Sequence, residues 1–178
     1  MSPARTDLIV DGEFYQRTKF LANYVLKKHH NHTQRTDRIG DKLYELCLDI
    51  KYKHDMFFEN VGRELGLNQE NFDELSKAVM AEVLNGNCNF GRIVSIYAFS
   101  LALSDYCIKN NLGDKTESIT TNVALSIQEH IEWFNNHGQW DGFLDHFTPQ
   151  TVEDKVWRGM MITTFGLGAV AGLIYAHS

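Results

Sequence analysis

Proline is almost absent from this chain, with Pro3 and Pro149 the two in 178 residues. Between them nothing forbids long helices, because proline is the residue that removes a backbone donor and breaks a helix interior. Cysteine is scarce as well. Cys47, Cys88 and Cys107 are odd in number and never spaced as CxxC. That disfavours a disulfide scaffold and a structural zinc site, and favours a reducing compartment. Positive charge is in deficit: 17 Lys and Arg face 23 Asp and Glu, a formal charge of -6. That argues against nucleic acid as the main partner, since phosphate binding needs clustered cations. Met1 to Arg17 is polar and mixed in charge, unlike a secretory leader. A phosphate-binding glycine loop, a zinc-spaced ligand set and a recognisable pair of catalytic carboxylates are also lacking. No catalysis, metal or cofactor is expected.

What the chain has is a 43% hydrophobic content arranged with helical period. No repeat or linker-like shift divides it, so one helical domain over residues 1–158 is expected, followed by an apolar tail over residues 159–178. From Gly159 to Ala176 there is no charged residue. At a rise of ~1.5 Å per residue that run covers about 27 Å, enough to cross a hydrocarbon core. Lys155, Trp157 and Arg158 supply a basic and aromatic flank. The expectation is a membrane anchor. The alternative is a buried C-terminal helix, since Gly159, Gly166, Gly168 and Gly172 lower its hydropathy, and such a helix can fold back onto an apolar groove.

Within the domain, the pattern predicts an amphipathic helix over Glu13 to Lys28, then a polar loop from His29 to Arg38. A second helix follows Gly40 with Leu43, Leu46, Leu48 and Ile50. A third covers Asp55 to Leu65, and a fourth, capped by Asn71, carries Phe72, Leu75, Val79 and Val83 at spacings of three and four. It ends at Asn85-Gly86, a C-cap signal. Ile93 to Ser104 is uncharged and apolar on nearly every side. At about a dozen residues it is short for a membrane span, so it is expected to be a central buried helix. A further amphipathic helix is expected over Asp114 to Phe134, then a short one containing Trp and Gly. His29, His30 and His32 lie near Asp37 and Asp41, where a polar loop is the simpler reading than a metal site.

Two motifs go beyond periodicity. Asn89-Phe90-Gly91-Arg92-Ile93-Val94 resembles the first homology motif of the Bcl-2 family of apoptosis regulators, usually Asn-Trp-Gly-Arg. Trp133 to Phe143, ending Gly138-Gln139-Trp140-Asp141-Gly142-Phe143, resembles the family's second motif, with Gln139 at its second Gly. Both lie in the family's order around the apolar central helix. Phe20 to Lys27 resembles the fourth motif. For the third motif two registers stand. Ile39-Gly40-Asp41-Lys42-Leu43 has the Gly-Asp pair but Thr36 at a Leu position. Leu43 to Ile50 has the apolar anchors but Cys47 and Leu48 at the small and acidic positions. Seven residues apart, the registers share one helix face. Asn71 to Met80 and Val152 to Tyr175 resemble the myeloid-cell-leukaemia type of pro-survival member.

The resemblance implies an all-α, Bcl-2-like helical bundle that binds a partner's amphipathic helix in a groove, the BH3 helix of a pro-apoptotic relative. Phe57, Phe58, Val61, Leu65, Val79, Val83, Leu84, Val94 and Tyr97 are expected to line that groove. Arg92 is expected to pair with the ligand's Asp, Asn89 to cap the helix and bond the ligand, and Gly91 to let the ligand approach. An Arg at the start of an apolar helix opposes that helix's macrodipole, which makes sense if a carboxylate arrives to meet it. Trp140, Asp141, Gly142 and Phe143 are expected to serve the fold instead. The implied role is pro-survival, at the outer mitochondrial membrane or the endoplasmic reticulum, with homo- or heterodimers in prospect. The alternative is a pore-forming effector of the same fold.

Overall fold

The computed structural model describes residues 12–32 and 35–147. Eight helices follow one another among them: α1 Gly12–His29, α2 Arg38–Lys53, α3 Asp55–Glu64, α4 Phe72–Leu84, α5 Phe90–Lys109, α6 Thr116–Gln128, α7 Ile131–Asn136 and α8 Gln139–Phe147. The described residues contain no strand. The expected tail over residues 159–178 lies outside them. Among the described helices none is long and apolar enough to cross a membrane.

α5 is the axis of the bundle, packed against α1, α2, α3, α4 and α6. Every residue from Ile93 to Ser104 is buried, as the uncharged run predicts. Each large apolar side chain so buried contributes roughly 1.5–3 kcal/mol before entropy is counted. The polar side chains between Ile93 and Ser104 are satisfied within the helix or across it. Ser95 donates to the Gly91 carbonyl at 3.1 Å, Ser100 to Tyr97 O at 2.7 Å, and the Tyr97 hydroxyl to Thr18 O at 3.2 Å.

The amphipathic helices close around this axis, with local departures from the pattern. α2 begins at Arg38, earlier than expected, because Asp37 caps it: the carboxylate accepts from the Gly40 N–H at 2.9 Å and is gripped by both Arg17 amino groups. Asn71 precedes α4 without capping it. Its side chain instead ties the preceding turn, accepting from Asn68 N at 2.8 Å and donating to Gly66 O at 3.0 Å. The helix expected over Asp114 to Phe134 is broken at Glu129 and His130 into α6 and α7. No Gly or Pro marks the break. It is set by packing, since the turn delivers Trp133 and Phe134 to the ring of Phe90, 4.9 and 5.9 Å away between centroids.

Both registers of the third motif face inward. Gly40 is buried under the Tyr24 ring, where an added Cβ would come within 2.4 Å of ring carbon. Leu43, Leu46, Cys47 and Ile50 are fully buried. Asp41 is held on α1 by the Tyr24 hydroxyl and the Lys28 ammonium. The two-turn shift between registers thus leaves the buried face unchanged.

Candidate helix-binding groove

The junction of α4 and α5 is built by its own residues. α4 stops at Asn85, and Gly86 takes φ +75°, a left-handed conformation that glycine adopts freely. Asn89 then opens α5, its side-chain oxygen accepting from the Arg92 N–H at 2.9 Å. The expected cap is therefore present, and it leaves the amide N–H groups of Asn89 out of the cap bond. Gly91 is buried one residue before Arg92. Phe90 turns the other way, into a cluster with Trp133, Phe134, Phe143 and His146 that docks α7 and α8 on the start of α5.

Arg92 reaches back to α4. One terminal nitrogen donates to Val83 O at 2.9 Å and Asn85 O at 3.2 Å. The charge that opposes the dipole of its own helix thus sits on the negative end of the neighbouring one. That stabilising role was invisible in sequence, because it depends on how α4 and α5 meet. Arg92 is half-buried, and its Nε is buried without a hydrogen-bond partner. No carboxylate among the described residues pairs with it.

The apolar residues expected to line a groove are gathered mostly into one closed core. Phe58, Val61, Val79, Val83, Leu84 and Val94 are at most 5% exposed, while Phe57 and Leu65 are partly buried against the same cluster. Tyr97 is not brought to the α3–α4 side. Its hydroxyl bonds to α1 and its ring meets Trp140 at 6.1 Å, because a buried phenol needs an acceptor and Thr18 O supplies one.

The second motif serves the fold. Trp140 is wedged between Phe14, Phe134 and Phe143. Gln139 takes φ +53°, which explains why glycine is usual at that place in the motif. Cys88 lies in the turn between α4 and α5 near Arg92, and burial pushes its thiol up to about 12, against the lowering from Arg92. A thiol held in that form is a poor nucleophile.

The result is an all-helical bundle with a central helix sheathed by amphipathic ones and, at the start of that helix, an arginine that no carboxylate among the described residues pairs with. The description "Apoptosis regulator proteins, Bcl-2 family" matches residues 43–140, more than half of the chain, and the chain belongs to that family. Apoptosis regulator R11 of Xenopus laevis is 23% identical over 146 residues, which cover 78% of this chain and 70% of that relative. A zebra-fish pro-survival protein, NRZ, solved with a Bad BH3 segment, superposes with a TM-score of 0.68 at 20% identity, over 78% of this chain and 97% of that one. Chicken BOK superposes at 0.64 and 17% identity, over 83% and 100%. These relatives lend no support to the expected likeness to the myeloid-cell-leukaemia type.

Proposed function

We propose that this apoptosis regulator is pro-survival and sequesters the BH3 helices of pro-apoptotic relatives, with Arg92 pairing the ligand's Asp. The observation that carries this reading is the half-buried guanidinium with an unpartnered Nε and no carboxylate beside it among the described residues. Only one of its terminal nitrogens is spent on α4. A forked guanidinium with donors to spare is suited to a carboxylate, and such a charge-assisted bond is worth roughly 1.5–3 kcal/mol. The BH3 segment held by the zebra-fish neighbour supports the class of ligand. In this reading residues 159–178 anchor the protein in the outer mitochondrial membrane or the endoplasmic reticulum, the helical domain faces the cytosol, and dimerisation proceeds through the same groove.

The test is binding of BH3 peptides to the detergent-solubilised full chain. Arg92→Glu should weaken binding by about 30-fold or more, which corresponds to ~2 kcal/mol or more. Circular dichroism of the variant checks that the lost α4 bonds have not unfolded it. Absence of binding to the wild type at micromolar peptide would sink the proposal. A second reading, a pore-forming effector, is favoured by one feature: the uncharged Ile93 to Ser104 stretch of α5 would suit a membrane once uncovered. Release of liposome contents by the full chain, alone or triggered by peptide, would decide for it.

A further inference from the structure

We propose that His29, His30 and Asp105 form a site for one zinc-class divalent ion, clamping the end of α1 to the C-terminal half of α5. The acids that neighbour these histidines in sequence are engaged elsewhere, Asp37 with Arg17 and Asp41 with Lys28 and Tyr24. The fold supplies a different acid. Asp105 lies 76 residues from His29 in the chain, and His29 Nε2 is 2.9 Å from its Oδ1.

One ligand atom from each of the three residues lies within 4.8 Å of the others, and all three residues are half-buried. Around a tetrahedral zinc with ligands at ~2.0–2.1 Å, neighbouring ligand atoms stand about 3.3 Å apart. The His29–Asp105 pair therefore has to open by only a few tenths of an ångström. The second carboxylate oxygen is already held by Lys51 Nζ at 2.6 Å. That is the outer support a ligating carboxylate commonly has, and it leaves Oδ1 for the ion. The Nδ1 of His29 is buried without a partner, and His30 Nε2 rests on the exchangeable hydroxyl of Ser104 at 2.8 Å.

A cavity of about 390 Å³ opens on the His30 side of the three and is lined by His30, His32 and Ser104. Water there, or the ring of His32, completes a fourth position. Two imidazoles and one carboxylate suit zinc better than calcium or magnesium, which prefer all-oxygen sets. The Lys51 ammonium opposes the incoming charge, so the affinity expected is micromolar rather than that of a closed structural site.

The experiment is calorimetric titration of the metal-stripped full chain in detergent with zinc chloride, repeated with cobalt(II) to read the visible absorption of a tetrahedral nitrogen and oxygen set. One equivalent should bind, with a rise in Tm. The double variant His29→Gln, His30→Gln should bind at least ~10-fold more weakly and lose the Tm rise. His137→Gln, remote from the site, should bind like the wild type. Equal zinc binding by the double variant, or no saturable binding to the wild type, would overturn the site. Should the double variant fail to fold without metal, Ser104→Ala, which frees the His30 nitrogen, must keep or strengthen binding for the proposal to stand.

Discussion

A Cβ on Gly142 would stand 1.8 Å from the His137 carbonyl oxygen, deep inside contact distance, and that atom is backbone and cannot swing away. Gly142→Ala should therefore force α8 off the turn before it. We expect a loss of about 3 kcal/mol or more in urea unfolding, in the range reserved for broken packing or strained backbone. A loss below ~1 kcal/mol would contradict the account. Gln139 poses the opposite case. Its φ of +53° is costly for a side chain, whereas its amide bond to Asn135 is exposed. Gln139→Gly should raise stability by up to about 1 kcal/mol, read from the same unfolding curves. Sequence flagged both positions through the motif but could not rank them. Only backbone geometry says that Gly142 is indispensable while position 139 tolerates a side chain at a cost. Arg92 teaches the converse. Its oddity was legible from the macrodipole of its own helix, while its bonds to α4 were not.

At the scale of elements, helices with a clear apolar stripe were readable, and so was the greasy centre from Ile93 to Ser104. The missed features are places where a partner element decides. The α6–α7 break follows from the Phe90 cluster, and the supposed loop at His29 is fastened to α5. Asp105 is the fastening point, since it takes His29 of α1 and Lys51 of α2 at once. Burial alone would raise its carboxyl, but the bonds from His29 and Lys51 win and hold it at about 2. A folded value below the unfolded ~3.9 means the stabilisation is complete above about pH 4 and is lost as pH falls through about 2. Asp105→Asn should thus cost about 2 kcal/mol near neutrality, and the gap between variant and wild type should close toward pH 2. Thermal unfolding across that range measures it. A gap that persists unchanged in acid would show that packing, not charge, ties the three helices.

For the molecule as a whole, the fold class and the two motif positions could be read in advance, whereas the state of the groove could not. Its expected lining is closed core, because apolar side chains with no ligand bury against one another. A BH3 helix bound there has to separate α3 and α4 from α5 first, and association that waits on such a change is slower than simple docking. The tether that holds α3 is visible. The Tyr106 ring lies under Gly62, where a Cβ would come within 2.4 Å, and its hydroxyl donates to Leu67 O at 3.0 Å, beyond the end of α3. Tyr106→Phe keeps the ring and removes the bond, at a cost of about 1 kcal/mol to the closed state. If opening precedes binding, the open population rises by roughly fivefold and the apparent affinity rises with it. Stopped-flow fluorescence with a labelled BH3 peptide should then show faster association and a similar dissociation rate. Faster dissociation with unchanged association would place the hydroxyl in the bound state, and the closed groove would no longer be the barrier to entry.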